Sequence, residues 1–132
     1  MEPDPSATII DDLFIEATAF PRPNRLNTSA DFAGVFKRAQ RSGDSFFTVL
    51  YRRNNLGYPR LGLAIAKKRV RRAVARNRLK RIIRESFRHA KNQLLGVDIV
   101  IMARDQAEPA TNRDLFTSLE HHWRAVARLN RT

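Results

Sequence analysis

The sequence predicts an α+β sandwich, with helices packed on a small sheet. Three observations carry this. The chain has 132 residues, enough for one compact domain and too few for two ordinary ones. Its apolar periodicity changes along the chain in the order helix, strands, helix, strand, helix. Residues 60–103 read as strand, long amphipathic helix, strand, a βαβ unit whose two strands can lie parallel.

The elements follow in order. Residues 1–19 hold Glu2, Asp4, Asp11, Asp12 and Glu16 and no Lys or Arg, and read as a flexible acidic extension. Pro21 and Pro23 punctuate its boundary with the domain at 20–132. "NTSADFAGVFKRAQ" predicts a first helix, capped by Thr28 or Ser29, with Phe32, Val35, Phe36 and Ala39 on one apolar face. Ser42-Gly43-Asp44 is a turn. "SFFTVLYRR" (45–53) is β-branched and aromatic, as strands are. "RLGLAIA" (60–66) sets Leu61, Leu63 and Ile65 on one face and Gly62, Ala64 and Ala66 on the other, which suits an antiparallel partner of 45–53. The small side leaves room for something large to approach the sheet. A second helix is expected over about 71–93, with Gly96 as its C′ residue. "VDIVIMA" (97–103) reads as a buried strand, and Asn112 as the cap of a last helix over 113–129, with Leu115, Leu119, Trp123, Val126 and Ala127 inward.

Charge points to the partner. The 25 basic and 13 acidic residues give a net +12, and because five of the acids lie in 1–19, the rest of the chain carries 25 − 8 = +17. A small domain so charged repels itself, and a polyanion relieves that repulsion. Nucleic acid is the first candidate and an anionic membrane surface the second. Between Lys67 and Lys91 there are twelve basic residues and one acid, Glu85. Solvated surface faces ordinarily mix signs, whereas a phosphate-binding face does not.

At about 100° per residue, Ala75, Leu79, Ile82, Ile83, Ser86 and Phe87 share an arc of roughly 120° that packs on the sheet. Asn77, Arg81, Arg84 and Arg88 cluster opposite, while Arg76, Lys80 and Arg78 form the shoulders. Because the apolar arc is spent on the sheet, a membrane-lying helix is disfavoured. Arg can fork onto phosphate oxygens, and the Asn77 amide both donates and accepts, as a base edge or a ribose hydroxyl requires.

"AIAKKRVRRAVARNRLKRIIRESFR" strongly resembles the signature of the bacterial ribonuclease P protein component, the basic subunit of the ribonucleoprotein that trims the 5′ end of precursor tRNA. "FPRPNRLNTSADFAGVFKRAQRSG", "PRLGLAIAKK" and "DIVIMAR" resemble the family in the same order, so that the likeness spans roughly 20–128. The resemblance implies an αβββαβα sandwich of ribosomal-protein-like fold, with an extra short strand near Gln40–Ser42. It also implies a left-handed βαβ crossover, where general rules predict a right-handed one.

It further implies that a catalytic RNA subunit, which requires magnesium, performs the cleavage. The protein binds that RNA and the single-stranded 5′ leader of precursor tRNA, with no cofactor of its own, no membrane and no obligate protein partner. By motif match the RNA-facing residues are Arg76, Asn77, Arg78, Lys80, Arg81 and Arg84, with Arg72 and Arg88 toward the helix ends and Lys67 and Lys68 at the entrance. Phe32, Phe36 and Tyr51 match the aromatic cleft for the leader. Aromatic faces stack on unpaired bases of any sequence, by about 1–3 kcal/mol per base. The alternative for each aromatic is plain core packing. Residues 1–19 depart from the family: an arm competing weakly for the RNA site, an idle tail and a misassigned start all remain open.

Chemistry of the protein's own is not expected. There is no cysteine, which removes thiolate zinc sites and Cys nucleophiles and suits a cytoplasmic protein. The N-terminus lacks the basic and apolar regions of a signal peptide, and no run of about 18 apolar residues suggests a membrane span. Glu85 and His89, at i,i+4, read as a surface contact, and the eight acids of the body are scattered rather than clustered for two-metal hydrolysis. The competing reading is a basic RNA-binding module of ribosomal or nucleoid type, which explains the charge but does not require the cleft.

Overall fold

The computed structural model describes Val35 and residues 37–131. A strand apolar on both faces belongs inside a sheet, and Val97–Ala103 (β4) lies at an interior position, buried along nearly its whole length. The sheet order is β1-β2-β4-β3, where β1 is Gln40–Gly43, β2 is Phe47–Arg53 and β3 is Arg60–Ala64. β1 pairs antiparallel with β2, β2 antiparallel with β4, and β3 parallel with β4. The parallel arrangement of the βαβ strands is as expected. The antiparallel pairing of 60–66 with 45–53 is not: β4 lies between them, and β3 pairs with β4 instead.

The register divides the sheet into two faces. Tyr51, Ile99 and Leu61, paired across β2, β4 and β3, belong to the main core, as do Phe47, Val49, Leu63 and Ile101, while Gln40 opposite Tyr51 on the edge strand is exposed. Leu79, Ile82, Ile83 and Phe87 of the basic helix (Ala73–Ala90), with Leu115, Leu119, Trp123 and Val126 of the C-terminal helix (Asn112–Ala127), join this core. Each such side chain contributes about 1.5–3 kcal/mol by leaving water. Trp123 donates its Nε1–H to Ser86 Oγ at 2.7 Å and packs edge-on against Phe87, so the two helices are tied by a satisfied polar bond inside their seam. The other face carries Ala64 and Val100, on which Val35 packs. Val35, Lys37 and Arg38 are helical, as the first predicted helix requires; Phe32, Phe36 and its caps lie outside the described residues.

Two helix ends differ from expectation. The basic helix gives way to a 3₁₀ turn at Lys91–Gln93, so Gly96, at φ +74°, shapes the turn into β4 rather than closing the helix itself. The C-terminal helix is capped one residue earlier than predicted: Thr111 accepts from the Asp114 N–H at 3.1 Å, and Asn112 opens the helix.

Asp44 fastens the β1–β2 turn to the C-terminal helix. Its Oδ1 accepts from the N–H groups of Phe46 and Phe47, both at 2.9 Å, and its Oδ2 accepts from Ser118. His122 Nε2 lies 3.2 Å from Oδ2, close enough for charge attraction but without hydrogen-bond alignment, and its Nδ1 shares a bond of 2.7 Å with Ser42 Oγ. Burial opposes ionisation of Asp44, but Ser118, the two backbone N–H groups and the His122 charge outweigh it and hold the carboxyl below its ordinary range. Burial pushes His122 down, and the partly compensating Asp44 charge does not restore it; His121 adds to the depression.

Candidate nucleic-acid interface

The basic helix meets the core with the predicted arc: Ala75, Leu79, Ile82, Ile83, Ser86 and Phe87 are buried. Its first turn holds no acid and no side chain caps it among the described residues. The positive end of its dipole therefore adds to the surrounding cations. Lys67, Lys68, Arg69, Arg71 and Arg72 are exposed in the segment that leads into it.

The predicted RNA-facing residues separate into groups. Asn77, Arg81 and Arg88 are exposed on the outer face, with Arg88 reaching Glu85 at 3.3 Å. Arg81 has no side-chain partner among the described residues. Arg72 is exposed and pairs with Glu108 at 3.0 Å. Arg76 is half-buried and donates to the carbonyls of Val70 and Arg71, clamping the approach to its own helix. Arg84 is half-buried and donates to the Lys80 carbonyl.

Arg78 acts as a bracket. Its guanidinium donates to the Glu108 and Ala110 carbonyls at 3.2 and 2.6 Å and to Asn112 Oδ1 at 3.1 and 2.8 Å, joining the basic helix to the start of the C-terminal helix. Lys80 corrects the sequence reading more sharply. It is 2% exposed, with Nζ 3.5 Å from Asn77 Oδ1, because its shoulder position turns in against the packed face. Glu85 and His89 form the expected surface pair at 3.1 Å.

Beside the helix N-terminus the open face of the sheet forms a cleft of about 600 Å³. Its floor follows one rung of the ladder, Thr48–Met102–Ala64, continued by Ala66, and among the described residues its rim carries Arg41, Lys68, Arg69 and Arg104 against one carboxylate, Asp105. The small side chains of "RLGLAIA" thus do leave space above the sheet. Of these cleft residues only Lys68 stands among the sequence-predicted site residues. Arg41 and Arg104 lie outside the basic run, so only the pairing of distant strands brings them to the rim.

Tyr51 is not in this cleft. It is 6% exposed and belongs to the main core on the opposite face of the sheet. Alternation along β2 sends Phe47, Val49 and Tyr51 one way and Thr48, Leu50 and Arg52 the other. A one-residue displacement in matching the motif therefore moves the chosen side chain through the sheet. Phe32 and Phe36 lie outside the described residues.

Among the described residues no three His, Cys, Asp or Glu side chains converge as a metal site, and no helix is long and apolar enough to cross a membrane.

Comparison with known proteins places these features in a lineage. Residues 20–127 match the family model described as Ribonuclease P. The chain is 49% identical over 109 residues to the ribonuclease P protein component of Methylococcus capsulatus, covering 83% of this chain and 85% of that protein. It is 43% identical to the Vibrio vulnificus protein of the same name, covering 86% of this chain and 96% of that one. Among solved structures, the Staphylococcus aureus RNase P protein superposes with a TM-score of 0.70 at 35% identity, covering 74% of this chain and 90% of that one. The Thermotoga maritima RNase P protein, solved in complex with 1-(4-fluorophenyl)-2-thiourea, gives 0.69 at 33%, covering 75% and 96%.

Proposed function

The chain belongs to the ribonuclease P protein family, and from that premise we propose how it serves in removing the 5′ leader of precursor tRNA. It is the protein subunit of that endoribonuclease. It pairs with an RNA subunit, and the RNA carries the bond-breaking chemistry. In this division the magnesium that assists phosphodiester hydrolysis is held by the RNA. The protein supplies cations placed on a rigid helix and a cleft beside them.

The observation that carries the reading is the adjacency of two different surfaces. The outer face of the basic helix, with Asn77, Arg81 and Arg88, suits a folded RNA's phosphates and hydroxyls. The cleft, with an uncharged floor and a cationic rim, suits a single strand of any sequence, and there the leader lies. A ribosomal or nucleoid module would need only the first surface, and neither the family match nor the fold favours it. A cytoplasmic location, where precursor tRNA is made and processed, fits this role.

The test is reconstitution. Purified protein alone leaves precursor tRNA intact. Added to the same organism's catalytic RNA at low magnesium, it produces 5′-matured tRNA at a rate the RNA alone reaches only at higher magnesium. Cleavage by RNA-free protein that survives micrococcal nuclease pretreatment overturns the division of labour.

A further inference from the structure

We propose that the acidic segment Asp11–Glu16 is an intrachain occupant of the cationic cleft, competing there with single-stranded RNA. The cleft and the segment are complementary in two independent respects. The cleft joins an uncharged floor, Thr48, Ala64, Ala66 and Met102, to a rim that among the described residues holds four cations and one acid. The segment, Asp-Asp-Leu-Phe-Ile-Glu, joins three consecutive apolar side chains to acids on both sides. Arg41 and Lys68 on the rim have no side-chain partner among the described residues, so their charge is available to a ligand. The segment lies outside the family match, which begins at residue 20, so the family's function does not account for it.

Tethering makes the contact economical. Val35 is buried against Ala64, whose neighbourhood is the cleft floor, and Glu16 precedes Val35 by 19 positions. Fully extended, that length spans about 60 Å, several times the width of such a cleft. A short tether of this kind gives an effective concentration in the millimolar range, so even a weak contact is populated. Occupancy of the cleft by the segment lowers the apparent affinity for RNA in proportion to the fraction of molecules left open. RNA with many phosphates displaces it; short or weakly held single strands do not. The segment thus acts as a filter against adventitious RNA. Its identity as a competitor rests on the leader reading of the cleft; its docking there does not.

Two full-length variants separate charge from contact. In one, Asp11→Asn, Asp12→Asn and Glu16→Gln remove the acids; in the other, Leu13→Ser, Phe14→Ser and Ile15→Ser leave the charge unchanged. Amide spectra of the ¹⁵N-labelled proteins, without RNA, are expected to differ from wild type at Thr48, Ala64, Ala66, Lys68 and Met102 and to agree at Asn77, Arg81 and Arg88. Binding of a fluorescein-labelled uridine hexamer is expected to tighten about two- to tenfold in both variants at low salt, and the differences to fade at high salt as the charges are screened. Tightening only in the charge-removed variant is generic electrostatics and overturns the proposal. So do unchanged cleft amides, or changes confined to the basic helix. Altered cleft amides with hexamer binding that no variant affects retain the docking but refute the leader reading of the cleft.

Discussion

Tyr51 shows how much turns on one side chain. Its ring lies in the main core beside Ile99 and Leu61, so Tyr51→Ala opens a cavity rather than removing a stacking platform. The expected cost is about 3 kcal/mol, with equal loss of binding to precursor and mature tRNA, measured by thermal melting alongside holoenzyme affinities. A selective loss for the precursor, at unchanged melting temperature, would return Tyr51 to the leader. The alternation that places it was legible: Phe47 and Val49 share its parity, and Thr48 and Leu50 share the other. Arg78 and Arg81 make the complementary case. They are three positions apart in one basic helix, yet one is committed to protein carbonyls and the other is not. Arg81→Ala should keep the melting temperature and lower the log–log salt slope of RNA binding by about 0.7–0.9, the share of one phosphate contact. Arg78→Ala should lower the melting temperature first, because the part-buried carbonyls of Glu108 and Ala110 lose their donor. Helical periodicity sets Arg78 on a shoulder and Arg81 on the outer face, but the acceptors that claim Arg78 are 30 and 32 residues away and invisible to it.

At the scale of elements, the strands are better foretold than their neighbours. β4 begins and ends where its apolar run does, because a strand buried on both faces has no polar residue inside it to blur the limits, apart from Asp98. That exception is structural. Asp98 is fully buried, faces Arg52 and Arg60 across the two adjoining strands, and accepts from Arg60 Nε and Nη2 at 2.8 and 2.7 Å and from Asn54 Nδ2 at 2.8 Å. It thereby holds the start of β3 and the end of β2 to the same point. Asp98→Ala should cost about 3 kcal/mol by removing the buried carboxylate that accepts from Arg60 and Asn54, read as a shift in the urea midpoint, while Arg60→Ala in the same background should cost little more. Additive losses would mean the two residues act separately. Strand order was the part not legible. Periodicity reports which face of a strand is buried but not which strand lies beside it, so it suggests β2, the neighbour in sequence, as the partner of β3, where the sheet places β4.

For the molecule as a whole, acid should be the destabilising direction. His122 is held below its ordinary value of 6.5, so the folded state binds fewer protons than the unfolded chain. Its contribution is complete above pH 6.5 and is lost as pH falls through the lowered value. Asp44, held below 3.8, adds a second loss at lower pH by the same sign. Melting temperature should therefore decline between pH 8 and pH 5, and His122→Gln should flatten that decline while leaving the steeper loss below pH 4. A wild-type profile flat from pH 8 to pH 5 would refute the coupling. His121 and His122 are adjacent in sequence and about 100° apart on the helix, and His122 is buried while His121 is exposed. The Asp44 partner was not foretold, because it lies in a turn nearly 80 residues earlier.

The interior position of β4 also sets the order in which a growing chain can take shape. β3 has no strand beside it until β4 is present, and β2 has only the short β1. A nascent chain ending before residue 97 holds the whole basic helix but lacks the strand that joins the halves of the sheet on which that helix packs. Its arginines are therefore synthesised well before the surface that organises them. Assembly waits for the middle of the sheet to arrive late and close it from within. The protein therefore completes its sheet only after its basic helix has been made.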